Sequence, residues 1–241
     1  MGNIPKKIHY CWFGGNPLPD TFKKCIESWE RYCPDYEIIR WDENNFDISS
    51  NNYVKEAYDA KKWAFVTDYV RLFVLFKYGG IYMDSDVEVI QPLDTFLKHR
   101  AFTGCESDSL CVTGTIGSEK NHPWIEMLLE EYTDKKFVLS DGKLNLTPNT
   151  TLITNITKRQ FGWNSENSYQ ILHGDLHIYP FDFFCAKDLR DGKVKVTKNT
   201  CTIHHFSGSW LSKSQKNKIL ISRLLGTKFK KMISSILFKF K

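Results

Sequence analysis

The segment Tyr82-Met83-Asp84-Ser85-Asp86-Val87-Glu88 sets two aspartates two residues apart at the end of an apolar run. Period-two alternation along one strand would put Tyr82, Asp84, Asp86 and Glu88 on one face and Ile81, Met83, Val87 and Val89 on the other. Carboxylates on one face repel each other, and a hard divalent cation is the usual compensation. Mg²⁺ and Mn²⁺ prefer oxygen ligands and share them with phosphates, so a nucleoside diphosphate would complete such a shell. Taken alone, Asp-x-Asp also occurs in ordinary surface turns. Upstream, Asp68 and Arg71 stand three apart in an otherwise apolar helical pattern and so share a helix face. Such a pair is a structural ion pair or the wall of a polar pocket. Its short link to the Asp84 run favours the pocket.

These side chains need a frame, and the pattern supplies one. Ile8 to Phe13 is a short β-type run closed by Gly14-Gly15, and reads as the first strand. Asp20 is a candidate N-cap for a helix carrying Phe22, Cys25, Ile26 and Trp29, which must end by Pro34. Tyr36 to Trp41 reads as a second strand, Tyr53 to Lys61 as a helix, and Trp63 to Tyr78 as a stronger helix stopped by Gly79-Gly80. Ile81 to Ile90 reads as one strand ended by Pro92. This β-α-β-α-β order predicts an α/β fold with a parallel sheet flanked by helices. Helices near Pro123 to Tyr132 and Thr150 to Phe161, and strands near Leu176 to Pro180 and Thr200 to Phe206, complete the reading.

At 241 residues with 41% hydrophobic and 25% charged side chains, the chain can fill a core, which excludes wholesale disorder. The seven cysteines are odd in number and form no CxxC, so they read as free thiols in a reducing compartment. No run approaches the length of a membrane span, and the first residues lack the apolar region of a secretory signal. The net charge of +5 hides an asymmetry. Residues 213–241 hold nine Lys or Arg and no acid, which leaves 24 basic and 28 acidic side chains in residues 1–212, a net of −4. The expected division is therefore a mildly acidic domain over 1–212 and a basic amphipathic helical tail over 213–241. Such a tail suits an anionic membrane surface, and predicts a cytoplasmic protein held on the inner face of the plasma membrane. The rest of the chain has no basic stripe, so nucleic acid is not expected as a partner.

Three blocks in order carry a family resemblance: Ile4 to Gly15, Ala64 to Arg71 with Tyr78 to Asp86, and Ile203-His204-His205-Phe206-Ser207-Gly208-Ser209-Trp210. Together they resemble glycosyltransferase family 32, the group with a DXD sugar-binding region, and within it the bacterial capsular-polysaccharide branch. The resemblance implies a single-domain α/β fold of the GT-A type, with a mixed, mostly parallel central sheet flanked by helices, a nucleotide-sugar donor, most often a UDP-sugar, a divalent metal, usually Mn²⁺, and retention of anomeric configuration. It implies that Asp86 ligates the metal and that Asp84 reaches the ribose and donor sugar. Asp68 and Arg71 would hold sugar hydroxyls and diphosphate, and Trp12 would stack on the base. His204 or His205 would close the metal site, with Ser207 as a further oxygen ligand and Trp210 covering the phosphates. The acceptor would be a glycan or a lipid-linked oligosaccharide in surface polysaccharide synthesis. Two further regions are placed with less detail: Glu106 as an acceptor-pocket residue, and Pro148-Asn149-Thr150 as a helix start offering N–H groups to an anion or sugar. Competing readings are an effector-type enzyme that modifies a protein, a nucleotide-sugar-binding protein without turnover, and a haloacid-dehalogenase-type phosphatase. The last wants Thr or Val where Glu88 stands.

Overall fold

The computed structural model describes residues 3–107, 109–111, 114–188 and 191–208. Trp210 and the tail 213–241 lie outside the described residues. The first half of the chain runs β1 (Lys7–Cys11), α1 (Asp20–Tyr32), β2 (Glu37–Trp41), α2 (Asn52–Asp59), α3 (Trp63–Tyr78), β3 (Gly80–Met83) and β4 (Val87–Val89). Then follow β5 (Ala101–Ser107), β6 (Leu110–Cys111), β7 (Thr115–Ser118), α4 (Pro123–Glu130), α5 (Asn149–Phe161), β8 (Gln170–Leu172), β9 (Leu176–Tyr179), α6 (Phe181–Phe184) and β10 (Thr202–His204). The main sheet has the order β2-β1-β3-β7-β5-β9-β8, with β6 paired to β5. Strands β1, β2 and β3 are parallel, as are β5 and β9, while β7 and β8 run against them. The sheet is thus mixed, with its parallel character concentrated at the β2-β1-β3 end.

Alternation along the strands splits the core into two layers. Tyr82 joins a cluster with Val66 and Val70 of α3, Trp124 of α4 and Ile153 of α5. Its neighbours Ile81 and Met83 face the other way, toward Trp29 of α1, Val87 and Phe184. Helix α3 is buried along most of its length, which its nearly continuous apolar sequence requires. Gly79 ends it at φ 65°, and a Cβ there would lie 2.9 Å from the Lys120 backbone nitrogen. Only glycine meets both conditions at that corner, which turns the chain straight into β3. Asp20 is the first residue of α1 and not its cap; Pro19 takes the cap position without a side-chain bond. All seven cysteines are buried and free. Among the described residues no helix is long and apolar enough to cross a membrane.

One expectation fails in an informative way. Ile81 to Ile90 is two strands, not one. The Val87 N–H donates to the Asp84 carbonyl at 2.9 Å, closing a tight turn over Asp84-Ser85-Asp86. Strand β4 then leaves the main sheet and pairs antiparallel with β10 in a separate two-stranded ribbon. The single face shared by Tyr82, Asp84, Asp86 and Glu88 therefore does not exist. The two aspartates stand on a corner between two sheets.

His9, fully buried in β1, fastens this end of the fold. Trp41 Nε1–H donates to His9 Nδ1 at 3.1 Å, so Nε2 carries the ring hydrogen and donates to the Gly79 carbonyl at 2.8 Å. Burial pushes its pKa down from 6.5 to about 4. The unfolded chain takes up this proton near pH 6.5 and the folded chain only near 4, so stability falls as pH drops through that interval. Urea unfolding at pH 7 and pH 4 is expected to show a His9 contribution of about 3 kcal/mol, at roughly 1.4 kcal/mol per pKa unit. His9→Gln should flatten that part of the curve; an unchanged slope would exclude His9 as its source.

Candidate active site

The chain lays β1 down first, adds β2 on one side, then returns to place β3 on the other. The crevice beyond the carboxyl ends of β1 and β3 is therefore the point where strand order reverses, which is where open α/β sheets bind ligands. Asp84 stands there, one residue beyond β3, with its N–H donating to the Gly114 carbonyl at 2.9 Å. Asp86 follows at the corner. Its carbonyl accepts from the His205 N–H at 3.0 Å, and its Oδ2 accepts from the Ser207 N–H at 2.7 Å. These bonds tie the last described segment to the turn and bring His204 across. His204 Nε2 lies 3.3 Å from Asp86 Oδ1 and 3.8 Å from Asp84 Oδ2. Ligand atoms of Asp84, Asp86 and His204 all fall within 4.8 Å of one another. Gly114 permits this approach, since a Cβ there would sit 2.7 Å from His204 Nδ1.

Behind the carboxylates lies Arg71, itself buried. Its Nη2 is 3.2 Å from Asp84 Oδ1 and 3.5 Å from Asp68 Oδ1, and its guanidinium lies over the Tyr82 ring. The Tyr82 hydroxyl donates to Asp84 Oδ1 at 2.9 Å. Burial opposes the charge on Arg71, but Asp84, Tyr82 and Asp68 outweigh it and hold the guanidinium protonated. Asp68 is pushed up to about 6, mainly by burial, with Arg71 only partly compensating. Burial also acts against ionised Asp86, yet the His204 ring and the Ser207 N–H hold it well below the usual carboxylate range. His204 is raised: burial disfavours its cation, and Asp86 more than offsets this. Glu106, at the end of β5, is raised by burial and feels His204, Asp84 and Arg71. Four carboxylates thus surround one permanent cation and one imidazole. The excess of negative charge, with two aspartates and a histidine converging, fits a divalent cation of the Mn²⁺ or Mg²⁺ class.

The structure brings together Asp68, Arg71, Asp84, Asp86 and His204 of the residues expected from sequence. It separates the two histidines: His205 Nε2 turns to Glu88 Oε2 at 2.8 Å. Ser207 meets Asp86 through its backbone N–H. Trp12 lies just past the carboxyl end of β1, its Nε1–H donating to the Asn16 carbonyl at 2.7 Å and its ring edge-on to Phe22. Asn149 opens α5 beside the charged group, its side-chain N–H reaching the Asp68 carbonyl at 3.4 Å. From sequence Tyr82 is only a strand residue, and its position two before Asp84 is the signal for its phenol. A cavity of about 830 Å³ lies beyond β1 and β2, lined by Gly14, Glu43, Asn44, Tyr58 and Trp63 among others. Gly14-Gly15, which in sequence signal only a strand end, form part of its rim.

Residues 19–103 match the family model described as the glycosyltransferase sugar-binding region containing DXD motif. The matched stretch contains Asp68, Arg71, Asp84 and Asp86. The chain is 34% identical over 126 residues to inositol phosphoceramide mannosyltransferase 3 of Schizosaccharomyces pombe, a match taking 51% of this chain and 35% of that protein. It is 25% identical over 224 residues to an uncharacterized glycosyltransferase of Acanthamoeba polyphaga mimivirus, covering 86% of this chain and 84% of the viral one. The chain spans only about a third of the fungal relatives' length. A crystal structure of a glycosyltransferase involved in the glycosylation of the major capsid of PBCV-1 superposes with a TM-score of 0.50 at 11% identity, over 90% of this chain and 100% of that one. That likeness is one of fold, and the fold is of the GT-A type. These relatives are fungal and viral, and the bacterial capsular branch expected from sequence finds no counterpart among them.

The two histidines make opposite predictions. His204→Ala should weaken Mn²⁺ binding, followed by electron paramagnetic resonance, by at least about tenfold, the loss typical of even an outer-shell partner. His205→Ala should leave it well short of that loss, because its ring is turned to Glu88 and away from the ligand set. The pH dependence also has a fixed sign. With no metal bound, the His204 imidazolium paired to Asp86 stabilises the fold below pH 6.5, and that contribution is lost as pH rises through the raised value. Mn²⁺ competes with that proton, so its affinity should fall on acidification.

Proposed function

We propose that this chain is a retaining glycosyltransferase that moves a hexosyl group from a nucleotide diphosphate sugar to a hydroxyl of a glycan or lipid-linked acceptor, with a divalent metal. The observation that carries the reading is the meeting of Asp84, Asp86 and His204 at the strand-order reversal, backed by buried Arg71, within a chain whose residues 19–103 match the DXD region. Asp86 and His204 would hold the metal, and Asp84 stands close enough to them to join in binding the metal or the donor. When bound, the cation supplies neutralisation of the departing diphosphate.

The protein's own groups do the rest. Arg71 is a fixed cation, preorganised by Asp68 and Asp84, and stabilises negative charge as the anomeric C–O bond breaks. Asp68 and Asn149 offer a carboxylate and an amide to sugar hydroxyls. The cavity beyond β1 and β2, with Trp12 nearby, takes the nucleoside. No side chain is assigned as a nucleophile. The acceptor oxygen forms its bond to the anomeric carbon on the face the diphosphate leaves, and its proton passes to the departing phosphate oxygen. The donor is a UDP-sugar on the family resemblance. The fungal relatives are named for mannosyl transfer to inositol phosphoceramide, which supports a second reading: a mannosyl donor and a phospholipid acceptor.

Thermal shift with UDP, GDP and their sugars, with and without Mn²⁺, tests the proposal, because a ligand that binds only the native state raises the melting temperature. The expected result is a Mn²⁺-dependent rise with one nucleotide series, abolished in Asp86→Ala, and sugar transfer stopped by excess EDTA. A shift with the matching sugar and no turnover on any acceptor would favour the binding-protein reading. Full transfer in EDTA would remove the metal from the mechanism.

A further inference from the structure

Between α6 and β10 the chain forms an arm that no part of the proposed reaction uses. Lys193-Val194-Lys195-Val196 alternates basic and apolar residues, Thr197 and Lys198 follow, and every one of the six is exposed. Alternation normally sends one face of such a segment into a core. Here Val194 is 45% and Val196 58% exposed, and Phe181 on neighbouring α6 is 38% exposed. The segment is nonetheless held in place. Lys187 and Val194 form an antiparallel bridge, and the Lys195 N–H donates to the Ala186 carbonyl at 2.9 Å. At the far end Thr197 Oγ1–H and Asn199 Nδ2–H both donate to Asp182 Oδ2, at 2.9 and 3.1 Å. A braced backbone with uncovered valines differs from a loop whose side chains are merely solvated.

The arm also stands next to the candidate active site. Lys187 Nζ–H donates to the carbonyl of His205 at 2.7 Å, one residue from His204. We propose that this arm is a membrane-docking surface, which lays Val194 and Val196 into the boundary of an anionic phospholipid bilayer with Lys193, Lys195 and Lys198 on its headgroups. Charge decides between occupants. The chain's own tail, residues 213–241, is apolar enough to cover the valines, but its nine cations and no anions would be repelled by the lysines. An anionic leaflet attracts both the arm and the tail. Docking here would set the active-site crevice near the bilayer surface, where a lipid-linked acceptor presents its hydroxyl. That last point rests on the proposed function, whereas the docking itself does not.

The test is co-sedimentation of the full chain with phosphatidylcholine vesicles, with and without phosphatidylserine. The wild type should pellet only with the anionic lipid. Lys193→Ser with Lys195→Ser should weaken binding by about thirtyfold, from ~1 kcal/mol per cation near an anionic surface. Val194→Asp with Val196→Asp should weaken it at least as much. All four positions are exposed, so the variants should keep the wild-type melting temperature. Because the readout is pelleting and not sugar transfer, a catalytically silent protein still gives an answer. Three results would overturn the proposal: no pelleting of the wild type, variants that pellet like wild type because the tail suffices, or lipid-independent self-association abolished by the valine changes.

Discussion

Arg71 sits inside the protein between Asp84 and Asp68, with Tyr82 beneath its guanidinium, and this buried cation constrains everything around it. Taking a guanidinium out of water costs several kcal/mol unless its partners are close and themselves hydrogen-bonded. Those partners come from α3 and from the end of β3, so the helix and the strand must be held at one spacing. The Gly79 corner and the His9 bond to the Gly79 carbonyl hold it. Once Arg71 is satisfied, the carboxylates are not. Asp68 is left partly unpaired at about 6, Asp86 leans on an imidazole, and Glu106 has only distant compensation. The fold thus stores an excess of negative charge in a crevice with low-dielectric walls, where an incoming cation gains most.

Much of this frame was legible in the sequence because the elements obey local rules. Helix α3 has the predicted bounds, since its apolar run is closed by two glycines. Strand β2 and helices α4 and α5 fall within a few residues of their expected ends. The DXD corner was not legible. Apolar alternation continues through Val87 and Val89 and competes with the turn-forming run Asp84-Ser85-Asp86, so local rules alone do not decide for a break. The turn is imposed from far along the chain, by the Gly114 carbonyl on one side and by β10 on the other. The same holds for the adjacent histidines. Two neighbours on an extended segment point to opposite sides, and only the pairing register of β10 with β4, His204 opposite Val87, says which one meets the aspartates.

The candidate metal site is consequently a joint between two sheets. Asp84 belongs to the end of the main sheet, Asp86 to the corner, and His204 to a ribbon of only two short strands. An isolated two-stranded ribbon is marginal, and this one is supported by Trp29 Nε1–H on the Val87 carbonyl and by Ser28 Oγ accepting the Val89 N–H. Those bonds fasten β4 to α1, while β10 is held by its antiparallel pairing, the Thr202 hydroxyl on the Phe184 carbonyl, the Thr202–Thr115 hydroxyl contact and the His204–Asp86 contact itself. A cation bound by all three side chains would therefore close the ribbon onto the sheet as well as neutralise charge. Binding and local order are then linked, because the free energy of ligation is also free energy of ordering β10.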